Sequence, residues 1–126
     1  MKKILVVDDE EDVLYVLKAT LTVKGYSVIT ATNGRNAIAL ARSQRPDLII
    51  LDVVMPGMNG GEVSAKLAEH PLTASIPVIF LTALLTRTEE YEHNHMIDSN
   101  ITFAKPVDTE ALLAQIEGLL GSCQSR

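Results

Sequence analysis

Five residues scattered along the chain carry side chains that could act together on a phosphoryl group: Asp8, Asp9, Asp52, Thr82 and Lys105. Three carboxylates gathered at one point repel one another, and a hard divalent cation relieves that repulsion. Mg²⁺ suits such a set because it takes oxygen ligands and keeps several waters. A carboxylate can also attack phosphorus to form a mixed anhydride while metal and ammonium neutralise the equatorial oxygens. In that chemistry Asp52 is the nucleophile and Mg²⁺ bridges it to the incoming group. Lys105 then holds a phosphoryl oxygen as a point charge, and Thr82 donates a hydrogen bond to another.

Each residue taken singly has a plainer explanation. The acidic stretch from Asp8 to Asp12 could cap a helix and complement its dipole. Asp52 could belong to an ordinary loop, Thr82 could be a strand former, and Lys105 could be a solvated surface lysine. Their joint position along the chain favours the chemical reading. Lys3 to Val7 is a β-branched run ending at Asp8-Asp9, and Asp47 to Leu51 is an apolar run ending at Asp52. Pro77 to Leu81 leads into Thr82, and Ile101 to Ala104 leads into Lys105. Four predicted strands therefore deliver these groups to one edge.

Helical patterns fill the intervals. Leu14, Leu17 and Leu21 recur at helical spacing until Gly25; Tyr26 to Ala31 reads as a second strand and Asn33-Gly34 as a turn. Ala37, Ile38, Leu40 and Ala41 form the stripe of a second helix, and Pro56-Gly57 with Asn59-Gly60 makes a loop before a third near Gly61 to Glu69. Thr86 to Asp98 is a polar helix candidate. Asp108 can cap a last helix, in which Leu112, Leu113, Ile116 and Leu119 face inward. Strict alternation predicts an α/β fold with a mostly parallel sheet, right-handed crossovers and helices on both faces. Ligands in such sheets bind beyond the carboxyl ends of the strands, where strand order reverses.

The bulk properties agree with one domain. A chain of 126 residues, 47% of them hydrophobic, can bury a core without disulfides or structural metal. No apolar run reaches the roughly 18 residues of a membrane helix, and Met1-Lys2-Lys3 with Ile4 to Val7 is too short for an export signal. A net charge of −5 without a basic run speaks against direct DNA binding. The single cysteine, Cys123, excludes an intrachain disulfide and suits a cytoplasmic setting. Glu89, Glu92, His93 and His95 read as a solvated helix face rather than a transition-metal site.

From Ile4-Leu5-Val6-Val7-Asp8-Asp9-Glu10 to the last helix, the chain resembles the CheY-like receiver domains of two-component response regulators. Pro46 to Asp52 with Met55-Pro56-Gly57-Met58-Asn59-Gly60 resembles the phosphoacceptor segment, and Ile79 to Ala83 and Lys105-Pro106 match later motifs. The resemblance implies a flavodoxin-like (βα)5 three-layer sandwich with a five-stranded parallel sheet of order 2-1-3-4-5. The receiver would span residues 1–121, and a polar tail residues 122–126. It implies phosphorylation of Asp52, with Mg²⁺ held by Asp9, Asp52 and the Val54 carbonyl, and by Asp8 through water. A cis peptide between Lys105 and Pro106 is implied as well.

The family usually has Tyr or Phe three residues before the lysine, a position that is Thr102 here, with Phe103 next to it. Phe103 would take that place if the register slips by one residue. Val54 and Leu84 would flank the path of attacking water, and as apolar groups they imply a comparatively long-lived phosphorylated state.

The resemblance implies a regulatory phosphoacceptor that assists its own phosphorylation and dephosphorylation rather than an enzyme. The donor would be a sensor histidine kinase or a histidine phosphotransfer domain, and output would pass to a downstream protein by contact. Two alternatives stay open: a binding module that works without phosphorylation, and an aspartate-nucleophile phosphatase. The latter would ordinarily carry a D-x-D pair and a cap domain, whereas here the acids are adjacent.

Overall fold

The computed structural model describes residues 2–55, 57–82, 96–97, 100–104 and 108–120. In chain order the elements are β1 (Lys3–Val7), α1 (Glu11–Val23), β2 (Ser27–Ala31), α2 (Gly34–Gln44) and β3 (Leu48–Asp52). They continue with α3 (Gly60–Glu69), β4 (Val78–Thr82), β5 (Met96–Ile97), β6 (Asn100–Ala104) and α4 (Thr109–Leu120).

The strands form one sheet of order β2-β1-β3-β4-β6-β5. Its first five members are parallel, so the expected order 2-1-3-4-5 is realised with β6 as the fifth parallel strand. The sixth strand was not anticipated. Met96 and Ile97 pair antiparallel with Ile101 and Asn100, where the helix candidate over Thr86 to Asp98 was expected to continue. The rest of that candidate, including His93 and His95, lies outside the described residues. So do Leu84, Lys105, Pro106 and the tail with Cys123.

Alternation along the strands explains the three layers. Ile4, Val6, Leu48, Ile50, Ile79, Leu81 and Phe103 pack with Leu14, Leu17 and Leu21 of α1 and Leu112 and Ile116 of α4. The intervening Leu5, Val7, Ile49, Leu51 and Phe80 pack with Ala37, Ile38 and Ala41 of α2 and Val63 and Leu67 of α3. β3 is buried along its whole length, as expected of a central strand covered on both faces. Full burial of each Leu or Ile contributes about 1.5–3 kcal/mol relative to exposure, so the two cores hold the sheet between the helix layers.

The loops are fixed by capping. Both Asn-Gly pairs, read from sequence as turn and loop, are helix starts. Asn33 Oδ1 accepts the Asn36 N–H at 2.8 Å at the head of α2. Asn59 Oδ1 accepts the Glu62 N–H at 2.9 Å while Glu62 Oε1 accepts the Asn59 N–H at 3.0 Å, a reciprocal capping box. α3 accordingly begins at Gly60, one residue before its expected start. Beyond α3, the buried Thr73 hydroxyl donates to the Leu67 carbonyl at 2.6 Å and closes the connection to β4. α2 ends at Arg45 in the left-handed region, φ 47°, a conformation that ordinarily favours glycine.

Candidate functional site

Strand register builds the site. Val7 pairs with Leu51, so Asp8 and Asp52 each follow directly on adjacent parallel strands. Asp52 pairs with Leu81, which places Thr82 one step further along β4, and Thr82 in turn pairs with Ala104, the residue before Lys105. The chain leaves β1 toward β2 on one side and returns to β3 on the other, so the acids flank the point where strand order reverses. The backbone thus brings the ends of β1, β3, β4 and β6 to one edge, as the sequence implied.

The side chains converge accordingly. Asp8, Asp9 and Asp52 each present a carboxylate oxygen, and these three atoms lie within 4.8 Å of one another. Asp8 and Asp52 are buried and Asp9 is exposed, so the cluster opens to solvent on one side. Thr82 is buried at the end of β4. Asp8 Oδ1 accepts the Glu10 N–H at 2.9 Å, and Asp52 Oδ1 accepts the Val54 N–H at 3.2 Å. Each carboxylate is held by the backbone two residues on, in the manner of an Asx turn.

The capping explanation for the first acids does not hold for Asp8 and Asp9. The N-cap of α1 is Glu10, whose side chain makes no capping bond, and the acids within its first turn are Glu11 and Asp12. Asp8 instead anchors the loop before the helix. Phe103 is buried among the residues that meet α1 and α4, its backbone opposite Leu81. Its burial there marks it as a core residue, and the sheet register places Thr102 opposite Phe80.

One residue at the site, Gly60, carries no role of its own in the sequence reading, where it belongs to a loop within the phosphoacceptor-like segment. The Gly60 N–H donates to the Val53 carbonyl at 2.8 Å, and a Cβ at Gly60 would lie 2.5 Å from the Asp52 carbonyl oxygen and 2.8 Å from Val53 Cα. The absence of a side chain lets the first turn of α3 rest directly on the backbone of Asp52. The sequence signal for this contact is an Asn-Gly pair in the loop before α3.

A five-strand parallel α/β sandwich with an acidic cluster at its switch point, and a threonine on the neighbouring strand end, is the arrangement expected of the receiver class. Comparison with known proteins places the chain within it: residues 4–117 match the response regulator receiver domain family, and the chain belongs to that family. It is 38% identical over 120 residues to protein PilH of Pseudomonas aeruginosa, covering 95% of this chain and 98% of that protein. It is 42% identical over 117 residues to response regulator PleD of Caulobacter vibrioides, but spans only 26% of PleD. Among solved structures, chemotaxis protein CheY4 of Vibrio cholerae superposes with a TM-score of 0.81 at 32% identity, covering 95% of this chain and 99% of that one. No helix among the described residues is long and apolar enough to cross a membrane.

Proposed function

We propose that the chain is a response-regulator phosphoacceptor in which Asp52 takes a phosphoryl group with the help of Mg²⁺. The observation that carries this reading is the cluster of Asp8, Asp9 and Asp52 at the switch point, with Thr82 ending the strand next to that of Asp52. The donor set fits Mg²⁺: every side-chain ligand is a hard carboxylate oxygen, and the exposed side of the cluster leaves room for coordinated water. Asp9, Asp52 and the Val54 carbonyl would hold the ion directly, and Asp8 through water. Bound there, it supplies charge neutralisation for the transferred group.

The residues do the remainder. An Asp52 oxygen attacks phosphorus as the P–N bond of a donor phosphohistidine breaks, and the departing imidazole keeps the electron pair and picks up a proton. Lys105 neutralises a phosphoryl oxygen, and Thr82 donates its hydroxyl to another. Burial of Asp52 and Thr82 keeps competing water from most of their surface, so these contacts act in a low-dielectric setting. Phosphorylation then shifts a pre-existing equilibrium between two conformations, and a downstream protein reads the change by contact. The donor is a sensor histidine kinase or a histidine phosphotransfer domain in the cytoplasm.

The test is intact-protein mass after incubation with acetyl phosphate, with and without Mg²⁺, on wild type and Asp52→Asn. A phosphoryl-sized gain that requires both Mg²⁺ and Asp52 is expected. No gain in a protein that binds Mg²⁺ would point to a binding module that works without phosphorylation.

A further inference from the structure

The two Asn-Gly pairs share a local sequence chemistry but differ in how tightly they are held. An asparagine followed by glycine is the dipeptide most open to intramolecular attack, because no Cβ on the second residue hinders approach of its backbone nitrogen. Both asparagines are exposed, and both stand at the head of a helix.

At Asn59-Gly60 every moving part is fastened. The Asn59 side chain accepts from Glu62 N–H, and the Asn59 N–H donates to Glu62 Oε1. The nitrogen that would attack, Gly60 N, has its proton on the Val53 carbonyl at 2.8 Å. Gly60 itself rests against the backbone of Asp52 and Val53, which cannot give way as a side chain would. At Asn33-Gly34 the hold is lighter. Among the described residues the Asn33 side chain takes part in one hydrogen bond, from Asn36 N–H, and the third helical position is Asn36, which supplies no reciprocal carboxylate. The nearest neighbours of a Cβ at Gly34 would be atoms of the Val63 and Met58 side chains rather than backbone. The first turn of α2 can therefore open locally at lower cost than that of α3.

We propose that Asn33 is a site of spontaneous deamidation in the folded protein, and that the capping box and the Val53 bond protect Asn59. Gly34 is buried in the closed helix, so the first turn opens, Gly34 N loses its proton to solvent, and the nitrogen bonds to Asn33 Cγ. The Cγ–NH₂ bond breaks, and the departing nitrogen takes a proton from solvent and leaves as ammonia, giving a succinimide. Water then opens either carbonyl to aspartate or isoaspartate, with no oxidant or reductant involved. The product takes the formal net charge from −5 to −6. Aspartate caps as well as asparagine and complements the helix dipole, so α2 survives conversion to that isomer. Isoaspartate lengthens the backbone at the cap and does not preserve it.

Peptide mapping by mass spectrometry over time, on the full chain in mildly alkaline buffer, follows the gain of about one dalton at each site. In the folded protein Asn33 converts at least about tenfold faster than Asn59, whereas in concentrated urea the two rates converge. Glu62→Ala raises the rate at Asn59, and Asn33→Gln removes the fast conversion. Equal rates at the two sites in the folded state, or faster conversion at Asn59, would overturn the proposal. So would a rate at Asn59 that Glu62→Ala does not change.

Discussion

Replacing Gly60 by alanine tests the contact on which the site rests. The new Cβ would lie 2.5 Å from the Asp52 carbonyl oxygen, about 0.9 Å inside the 3.4 Å at which ordinary contact begins. The second-nearest atom is Val53 Cα at 2.8 Å, so the obstacle is backbone of a fully buried strand and not a side chain that can rotate. Either the first turn of α3 lifts, losing the Gly60 to Val53 hydrogen bond, or the end of β3 moves. Overpacking of this kind costs about 1–3 kcal/mol, and the better helix propensity of alanine offsets at most about 1 kcal/mol of it.

Because the obstacle is backbone, the upper part of that range, about 2–3 kcal/mol, applies. After the offset, a net loss of about 1–2 kcal/mol corresponds to a Tm lowered by roughly 3–12 °C for a domain of this size. A displacement near 1 Å at the proposed nucleophile, Asp52, can slow reaction by up to about 100-fold, so the rate of acetyl phosphate labelling should fall along with stability. Gly118→Ala is the matched control, because a Cβ there meets nothing within 4 Å and the position is exposed on α4. That change should stabilise by about 0.5–1 kcal/mol. Denaturant unfolding of both variants decides the matter. If Gly60→Ala is as stable as wild type, or gains stability as Gly118→Ala does, the close approach of α3 to Asp52 is not the constraint described.

Four further outcomes are expected. Arg45→Gly, which removes a side chain from the left-handed position at φ 47°, should raise stability by up to about 1 kcal/mol in urea unfolding. Thr73→Val, which deletes the buried hydroxyl bond to Leu67, should lower it by about 0.5–1.5 kcal/mol by the same assay. Mg²⁺ at 100 times its Kd should stabilise the folded protein by about 2.7 kcal/mol in thermal unfolding, and Asp9→Ala should abolish most of that gain. The exposed, apolar Val54 cannot orient water, so Val54→Asn should shorten the phosphoryl lifetime by up to about tenfold, followed as decay of the added mass.

Much of this was readable from the residues because periodicity and chemistry pointed the same way. The apolar runs ending at Asp8, Asp52 and Thr82 became β1, β3 and β4, with Asp52 and Thr82 as the last residues of their strands rather than the first beyond them. Gathering of the carboxylates followed, since parallel strands in register place their ends together. Three features escaped. The Asn-Gly pairs carry the same signal in a turn and at a helix cap, and only the element that follows separates the two. Strand β5 is two residues long, too short for alternation to show. The contact between Gly60 and Asp52 joins residues eight apart through the third dimension, and neither spacing nor residue type reveals how closely two backbones approach.

The proposed function stands on Asp52 as the phosphorylated residue. Borohydride reduction of protein labelled with acetyl phosphate and Mg²⁺ converts an aspartyl phosphate to homoserine, and peptide sequencing then locates it. Homoserine is expected at position 52 alone, and absent when Mg²⁺ is chelated. Homoserine at position 8 or 9, or label that resists reduction, would contradict it.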